Sequence, residues 1–308
     1  MSKWRGYILA AFAAAAYGTN PAFAVPLYET GMNPNSVLLF RYGIGIPILA
    51  ALMGVRKLDF HLKKNELIPV FALGVLMALS SLALFESYNY MNSGIASTLL
   101  FVYPIMVAVI MTFFFRESIK SSLILCFLFM GAGLLLLMRS DGDEGIDAYG
   151  FLLVMVSALT YALYIVLVNG SKAISRIPTT KLLFYVLIFG SSVFLFQIAV
   201  GTELTLPVKS TGWYSLIALA IIPTVLSLAC TSAAIHIIGS TPTAIFGALE
   251  PVTAVVLSVV FLGQEISVQE IIGGVLIVIA TTIVVASNSV DTFILHVRKM
   301  FPKKMSDH

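Results

Sequence analysis

Charge is scarce in this sequence. Asp, Glu, Lys and Arg make up 11% of 308 residues, where a soluble domain carries about 25%. So few charges cannot cover a water-facing surface, which excludes an ordinary soluble globular protein. Cysteine is nearly absent. Cys126 and Cys230 lie inside apolar stretches without CxxC or Cys/His spacing, so they read as small core residues rather than a disulfide or zinc framework. There is no GxxxxGK[ST] loop, no HExxH, no GxSxG, no acidic metal cluster and no selectivity-filter-like segment. ATP drive, metallo- or serine hydrolysis and filter-type ion conduction thus lack their usual residues. No lysine lies within the apolar body of a span, so a retinal Schiff base is excluded too. No enzymatic reaction, cofactor or metal is expected. The net charge of +3 is scattered between apolar runs, unlike the basic patch of a nucleic-acid binder.

What the chain does have is hydrophobicity: 59% apolar residues and a mean hydropathy of +0.99. Runs of about 20 apolar residues fit a bilayer core about 30 Å thick. Ten such runs are expected as helices, over 6–28, 34–55, 66–88, 94–115, 120–139, 148–169, 179–200, 212–237, 241–262 and 269–288. They must be helical, because lipid cannot satisfy open backbone groups. Lys3 and Arg5 before an alanine-rich run imitate a secretory signal. The apolar run continues to Tyr28 and nine more follow, so an uncleaved first helix is expected.

The basic residues set the orientation. With the N-terminus in the cytoplasm, fifteen of the eighteen Lys and Arg residues fall in cytoplasmic segments, two (Arg139 and Lys209) fall outside, and Arg41 lies within a span. Both termini are therefore expected in the cytoplasm of a bacterial-type inner membrane. Trp4, Tyr149, Trp213 and Tyr214 fall near the expected interfaces, where aromatic rings anchor helices.

The chain reads as one pattern written twice. Asn92-Ser93-Gly94-Ile95-Ala96, Phe101-Val102-Tyr103-Pro104 and Phe114-Phe115-Arg116-Glu117 are echoed by Gly239-Ser240-Thr241-Pro242-Thr243, Ala248-Leu249-Glu250-Pro251 and Phe261-Leu262-Gly263-Gln264-Glu265. A fainter echo, 144 residues apart, links Tyr17-Gly18 and Phe40-Arg41-Tyr42 to Tyr161-Ala162 and Phe184-Tyr185-Val186. An acidic loop with Asp141, Asp143, Glu144 and Asp147 separates the copies. The expected organisation is a first five-helix repeat over 1–140, an outer linker over 141–147, a second repeat over 148–289 and a basic cytoplasmic tail over 290–308. Five is odd, so the second repeat enters the membrane upside down. The expected fold is an all-α integral membrane protein of ten transmembrane helices in two inverted five-helix repeats.

These residues resemble the drug/metabolite transporter superfamily, specifically its ten-helix EamA-type carriers. The clearest pieces are Tyr17-Gly18-Thr19-Asn20-Pro21, Phe40-Arg41-Tyr42, and the Tyr-Pro and Glu-Pro blocks ending in Arg116-Glu117 and Gln264-Glu265. The resemblance implies two inverted repeats and export or exchange of small metabolites. The family's usual Gly-Glu is replaced by Arg116-Glu117 in one copy and interrupted by Gln264 in the other.

An ionisable side chain at mid-bilayer costs about 2.5–3.5 kcal/mol on insertion scales. Four are candidates: Arg41, Glu86, Glu250 and His236. Glu250 beside Pro251 is the sharpest, as a proton or ammonium site at a kinked midplane helix. Arg41 and Glu86 lie at similar depth and could form an ion pair, an outer gate, or a substrate-carboxylate site at Arg41. His236 reads as an interfacial histidine. Tyr17, Asn20, Tyr88, Tyr103, Tyr161 and Tyr164 would complete a cavity of phenol and amide groups. Pro21, Pro104 and Pro251 are candidate hinges.

Together these features point to a secondary carrier, moving a small polar metabolite such as an amino acid by alternating access, outward by expectation. Membrane lipids and protons are its expected partners, and oligomeric state is unspecified. The competing reading is a membrane receptor or lipid-handling protein using the same cavity; a passive channel is third.

Overall fold

The computed structural model describes residues 3–115, 121–138, 147–171, 173–238, 243, 246–280 and 282–283. The described structure is all helical, without strands. In chain order the helices are α1 (Lys3–Tyr17), α2 (Asn20–Glu29), α3 (Pro34–Val55), α4 (Lys64–Ser87), α5 (Ser93–Leu100), α6 (Tyr103–Phe115), α7 (Ser121–Met138), α8 (Ala148–Gly170), α9 (Thr179–Ala199), α10 (Ser210–Ala220), α11 (Ser227–Ile238) and α12 (Leu249–Leu262), with α13 over Val268–Ala280. A π-helical turn, Ile221–Leu226, joins α10 to α11. The helices fall into ten rods, because α1 with α2, α5 with α6, and α10 with α11 each form one path. Seven rods are long and apolar enough to cross a bilayer, and α12 and α13 are shorter apolar helices. Trp4, Tyr149, Trp213 and Tyr214 are exposed.

Local sequence explains several ends. Asn33 caps α3 through its side chain, which accepts from the Ser36 N–H at 2.8 Å. Asn92 caps α5 the same way, accepting from the Gly94 N–H at 2.9 Å. Asp147 caps α8. Gly263 ends α12 in the left-handed conformation, φ 62°, which glycine adopts without a Cβ penalty.

The packing carries the inverted symmetry. α4 lies against α8, and α1 against α11. In the first pair Ser80 and Ser157 bond reciprocally: the Ser157 hydroxyl donates to the Ser80 carbonyl at 2.7 Å and the Ser80 hydroxyl to the Ser157 carbonyl at 3.0 Å. In the second, the Ser227 hydroxyl donates to the Ala13 carbonyl at 2.8 Å. A shift of 144 residues carries Ala13 onto Ser157, and one of 147 carries Ser80 onto Ser227 and Tyr103 onto Glu250. Buried hydroxyls thus join equivalent positions in both halves. Glycines allow the closest crossings, as small residues do in lipid. A Cβ on Gly74 would lie 2.8 Å from the Gly190 nitrogen, and one on Gly133 would lie 2.7 Å from the Gly273 carbonyl oxygen.

Gln264 breaks the sequence match between the copies but has a local task. Its Oε1 accepts from the Ser93 hydroxyl at 3.0 Å and the Ser93 N–H at 3.2 Å, binding the end of α12 to the start of α5. Arg116 and Glu117 of the first copy lie outside the described residues, as do the side chains of Cys126 and His236 and the linker at 141–146. Cys230 is a half-buried free thiol.

Candidate functional site

Four rods are interrupted at mid-length, and the interruptions meet. The first breaks between Tyr17 and Asn20, the fourth between Leu100 and Tyr103, the eighth in its π turn and the ninth just before Leu249. Pro21, Pro104 and Pro251, the candidate hinges, lie at three of these interruptions. Each proline stands in the first turn of a helix that restarts after a break.

A proline deprives the carbonyl four residues earlier of its helical donor. Here the chain replaces that donor locally. The Tyr17 carbonyl, opposite Pro21, accepts from the Asn20 side-chain amide at 2.8 Å. The Leu219 carbonyl, opposite Pro223, accepts from the Thr224 hydroxyl at 3.2 Å. The Gly247 carbonyl, opposite Pro251, accepts from the Glu250 N–H at 2.9 Å. A tight turn closes over it, so the free polar group beside Pro251 is the Glu250 side chain itself. At the fourth rod the N–H groups of Phe101 and Val102 turn back to Thr98 and Leu99, each at 3.1 Å.

These breaks line a cavity of about 450 Å³, within the range of small-molecule sites. Tyr17, Asn20, Arg41, Tyr88, Tyr103, Tyr161, Tyr164 and Glu250 all line it, as do Pro21, Pro104 and Pro251. Glu86 does not. Tyr88 reaches the cavity, while its neighbours Asn89 and Tyr90 are exposed. Tyr103 meets Tyr161 edge-on at 4.7 Å, and Tyr161 stacks on Tyr164 at 5.9 Å.

Glu250 stands in the first turn of α12, where the helix dipole suits a carboxylate. Its side chain has no protein hydrogen-bond partner among the described residues. The expected Arg41–Glu86 ion pair is absent. Instead, Arg41 donates from Nε to the Thr224 hydroxyl at 2.9 Å, and its Cζ lies 5.5 Å from the centroid of the Phe85 ring. Equal depth on neighbouring helices does not fix which way two side chains face. Asn20 is 4% exposed, and its Oδ1 has no partner.

Sequence reasoning missed Thr224, Tyr42, Phe85 and a set of cavity hydroxyls at Ser80, Ser81, Ser97, Ser227 and Thr231. Pro223-Thr224 in mid-span was the available signal for the first. Among the described residues no group of three or more His, Cys, Asp or Glu side chains is placed to hold a metal.

Comparison with known proteins gives a consistent picture. The model of the EamA-like transporter family matches the chain twice, over residues 4–139 and 148–286. An uncharacterized transporter from Archaeoglobus fulgidus is 26% identical over 194 residues, 62% of this chain and 65% of that protein. The chain thus spans less than two thirds of the length of that curated relative. A protein crystal structure superposes with a TM-score of 0.66 at 19% identity, covering 95% of this chain and 99% of that one; this likeness concerns the fold alone.

Proposed function

Since the chain belongs to the EamA-like transporter family, and is accordingly a multi-pass membrane transporter, we propose that it is a secondary carrier for a small polar metabolite of the amino-acid kind. The observation that carries this reading is the cavity of about 450 Å³ where four helix breaks meet around the unpaired Glu250 carboxyl. Irregular backbone at membrane depth is tolerated where it lines a cavity, and carriers with inverted repeats place their sites there.

In this reading each repeat rocks against the other, and the cavity opens alternately to the two faces. Pro21, Pro104 and Pro251 act as hinges at the restarts of their rods. Glu250 takes the substrate ammonium or a coupling proton, and tyrosines wall the apolar part of the solute. Both termini lie in the cytoplasm of an inner membrane, consistent with the basic residues of the short loops, and net movement is outward. The substrate gradient, exchange or protons supply the energy.

Purified protein in sealed vesicles tests the reading. A carrier gives saturable flux that accelerates when unlabelled solute is placed on the far side. A channel gives flux without either property, and a receptor gives none. Comparing the metabolites of cells with and without the protein supplies the solutes to assay.

A further inference from the structure

We propose that Arg41 is the acid-recognition end of the cavity, taking a substrate carboxylate on its two terminal nitrogens, and that Thr224 is the residue that positions it. The assignment rests on the carrier reading for the ligand being a transported solute.

Arg41 is 5% exposed yet lines the cavity. Its Nε is already occupied by the Thr224 hydroxyl. That hydroxyl spends its own hydrogen on the Leu219 carbonyl, the one orphaned by Pro223. It can therefore only accept from Arg41. This threonine lies within the π-helical turn at Ile221–Leu226; such turns recur at functional sites. Phe85, itself 1% exposed, lies within cation–π reach of the guanidinium. Two contacts thus fix the head group and leave its Nη edge over.

Among the described residues that edge has no protein acceptor, and no carboxylate lies within 4.0 Å of Arg41. The nitrogens are not sealed in protein either, since none of them is among the described buried side-chain atoms left without a partner. A buried guanidinium with an open edge is costly unless a ligand completes it. The planar fork matches the two oxygens of a carboxylate. With Arg41 and Glu250 lining the same cavity, the solute lies with its acid toward the α3–π turn junction and its ammonium toward the start of α12.

The experiment follows thermal unfolding of the purified, detergent-solubilised chain while titrating L-leucine, 4-methylpentanoate (acid without amine) and L-leucinamide (amine without acid). Both acids are expected to raise the midpoint, and leucinamide to raise it far less than leucine. In Thr224→Val the half-saturating concentration of L-leucine rises roughly tenfold, as for a lost hydrogen bond to a charged group. In Arg41→Gln it rises by about a hundredfold or more. Thr224→Ser, which keeps the hydroxyl, restores binding to near the wild-type value, a rescue that a packing role alone would not give. Should Thr224→Val fail to fold, Arg41→Lys keeps the charge without the planar fork and must show the same weakening. The proposal is overturned if no acid stabilises the wild type, if leucinamide does so as well as leucine, or if Thr224→Val and Arg41→Lys bind like wild type. Flux is measured separately in vesicles. Acid-selective stabilisation without flux sinks the carrier reading and leaves this assignment; saturable flux indifferent to the acid group does the reverse.

Discussion

Gly18 touches the backbone of Glu250. A Cβ built on Gly18 would lie 2.5 Å from the Glu250 carbonyl oxygen and 2.7 Å from the Thr253 Cβ. The break in the first rod and the restart of the ninth are therefore in contact, main chain to main chain. This contact sets where Glu250 stands relative to Tyr17 and Asn20. Gly18→Ala should force the two apart, costing about 1–3 kcal/mol in overpacking and most of the transport. Gly43→Ala is the control, because nothing lies within 4 Å of the Cβ it would add. Thermal unfolding and vesicle flux measured on both variants check the expectation. Wild-type flux in Gly18→Ala would show that the contact does not set the site.

Glu250→Gln retains the volume and hydrogen-bonding shape of the side chain but removes its charge and titration. It should abolish or sharply weaken transport while leaving protein level and unfolding midpoint near wild type, since the carboxyl has no protein partner among the described residues to lose. If protons are the coupling ion, flux driven by a pH step is lost in the same variant. Normal transport by Glu250→Gln would remove the residue from the mechanism.

Much of the scaffold was legible because lipid enforces simple rules. A run of about 20 apolar residues is a span, and a five-span unit written twice must invert. The Tyr-Pro and Glu-Pro blocks marked two rods whose breaks line the cavity, and Asn20-Pro21 marked a third. The π turn was not legible, because Ile221-Ile222-Pro223-Thr224 has the hydropathy of any other span. The partner of Arg41 was misread for a related reason. Sequence gives depth along a helix but not the rotation of one helix against the next. Gln264 looked like a defect in the repeat, although its side chain caps Ser93.

Because Arg41 bonds Thr224 rather than Glu86, two double-mutant cycles should differ. Arg41→Gln combined with Thr224→Val should show a coupling of about 1–3 kcal/mol, the range for hydrogen bonds to charged groups and for residues sharing one network. Arg41→Gln combined with Glu86→Gln should be additive to within about 0.5 kcal/mol. Reversing both charges, Arg41→Glu with Glu86→Arg, should rescue neither folding nor flux. Rescue by the double reversal would restore the ion pair that the structure lacks.

The Ser80–Ser157 pair joins α4 to α8 by two bonds at once. Each single change to alanine should cost about 0.6 kcal/mol, and not more than about 1.7, the scale measured for such bonds between membrane helices. Each hydroxyl keeps its main-chain acceptor after a single change, but the two hydroxyls also lie 3.1 Å apart, so the double change should depart from the sum by that one contact. Strict additivity in unfolding measurements would show that the two bonds form independently.

Equivalent spans of the two repeats are also tied at their starts to loops of the opposite repeat. At the start of α3, Asn33 donates from its backbone to the Thr205 hydroxyl at 2.9 Å and from its side chain to the Glu203 carbonyl at 2.7 Å, while the Thr205 N–H donates to Ser36 at 2.9 Å. At the start of α9, Lys181 donates to the His61 carbonyl at 2.6 Å, Tyr185 donates to the Phe60 carbonyl, and Arg56 donates to the Thr180 hydroxyl at 3.0 Å. A shift of 144 residues carries Ser36 onto Thr180 and His61 onto Thr205, so the two ties are the same joint on opposite ends of the bundle. A protein with two alternating shapes should hold one joint more tightly in each. Removing the hydroxyl and ammonium donors by Tyr185→Phe with Lys181→Met should favour opening at the α9 end. Asn33→Ala with Ser36→Ala should favour opening at the α3 end. A bias of about 1 kcal/mol per lost bond shifts a two-state population roughly fivefold. Ser81→Cys, placed in the cavity wall, reports the shift by its labelling rate with an impermeant maleimide added to either face of oriented vesicles, in a chain with Cys126 and Cys230 replaced by serine. Opposite changes in the two rates are expected from the two pairs of substitutions. If both pairs move the rates the same way, or neither moves them, the joints are fixed struts and the rocking surface lies elsewhere in the bundle.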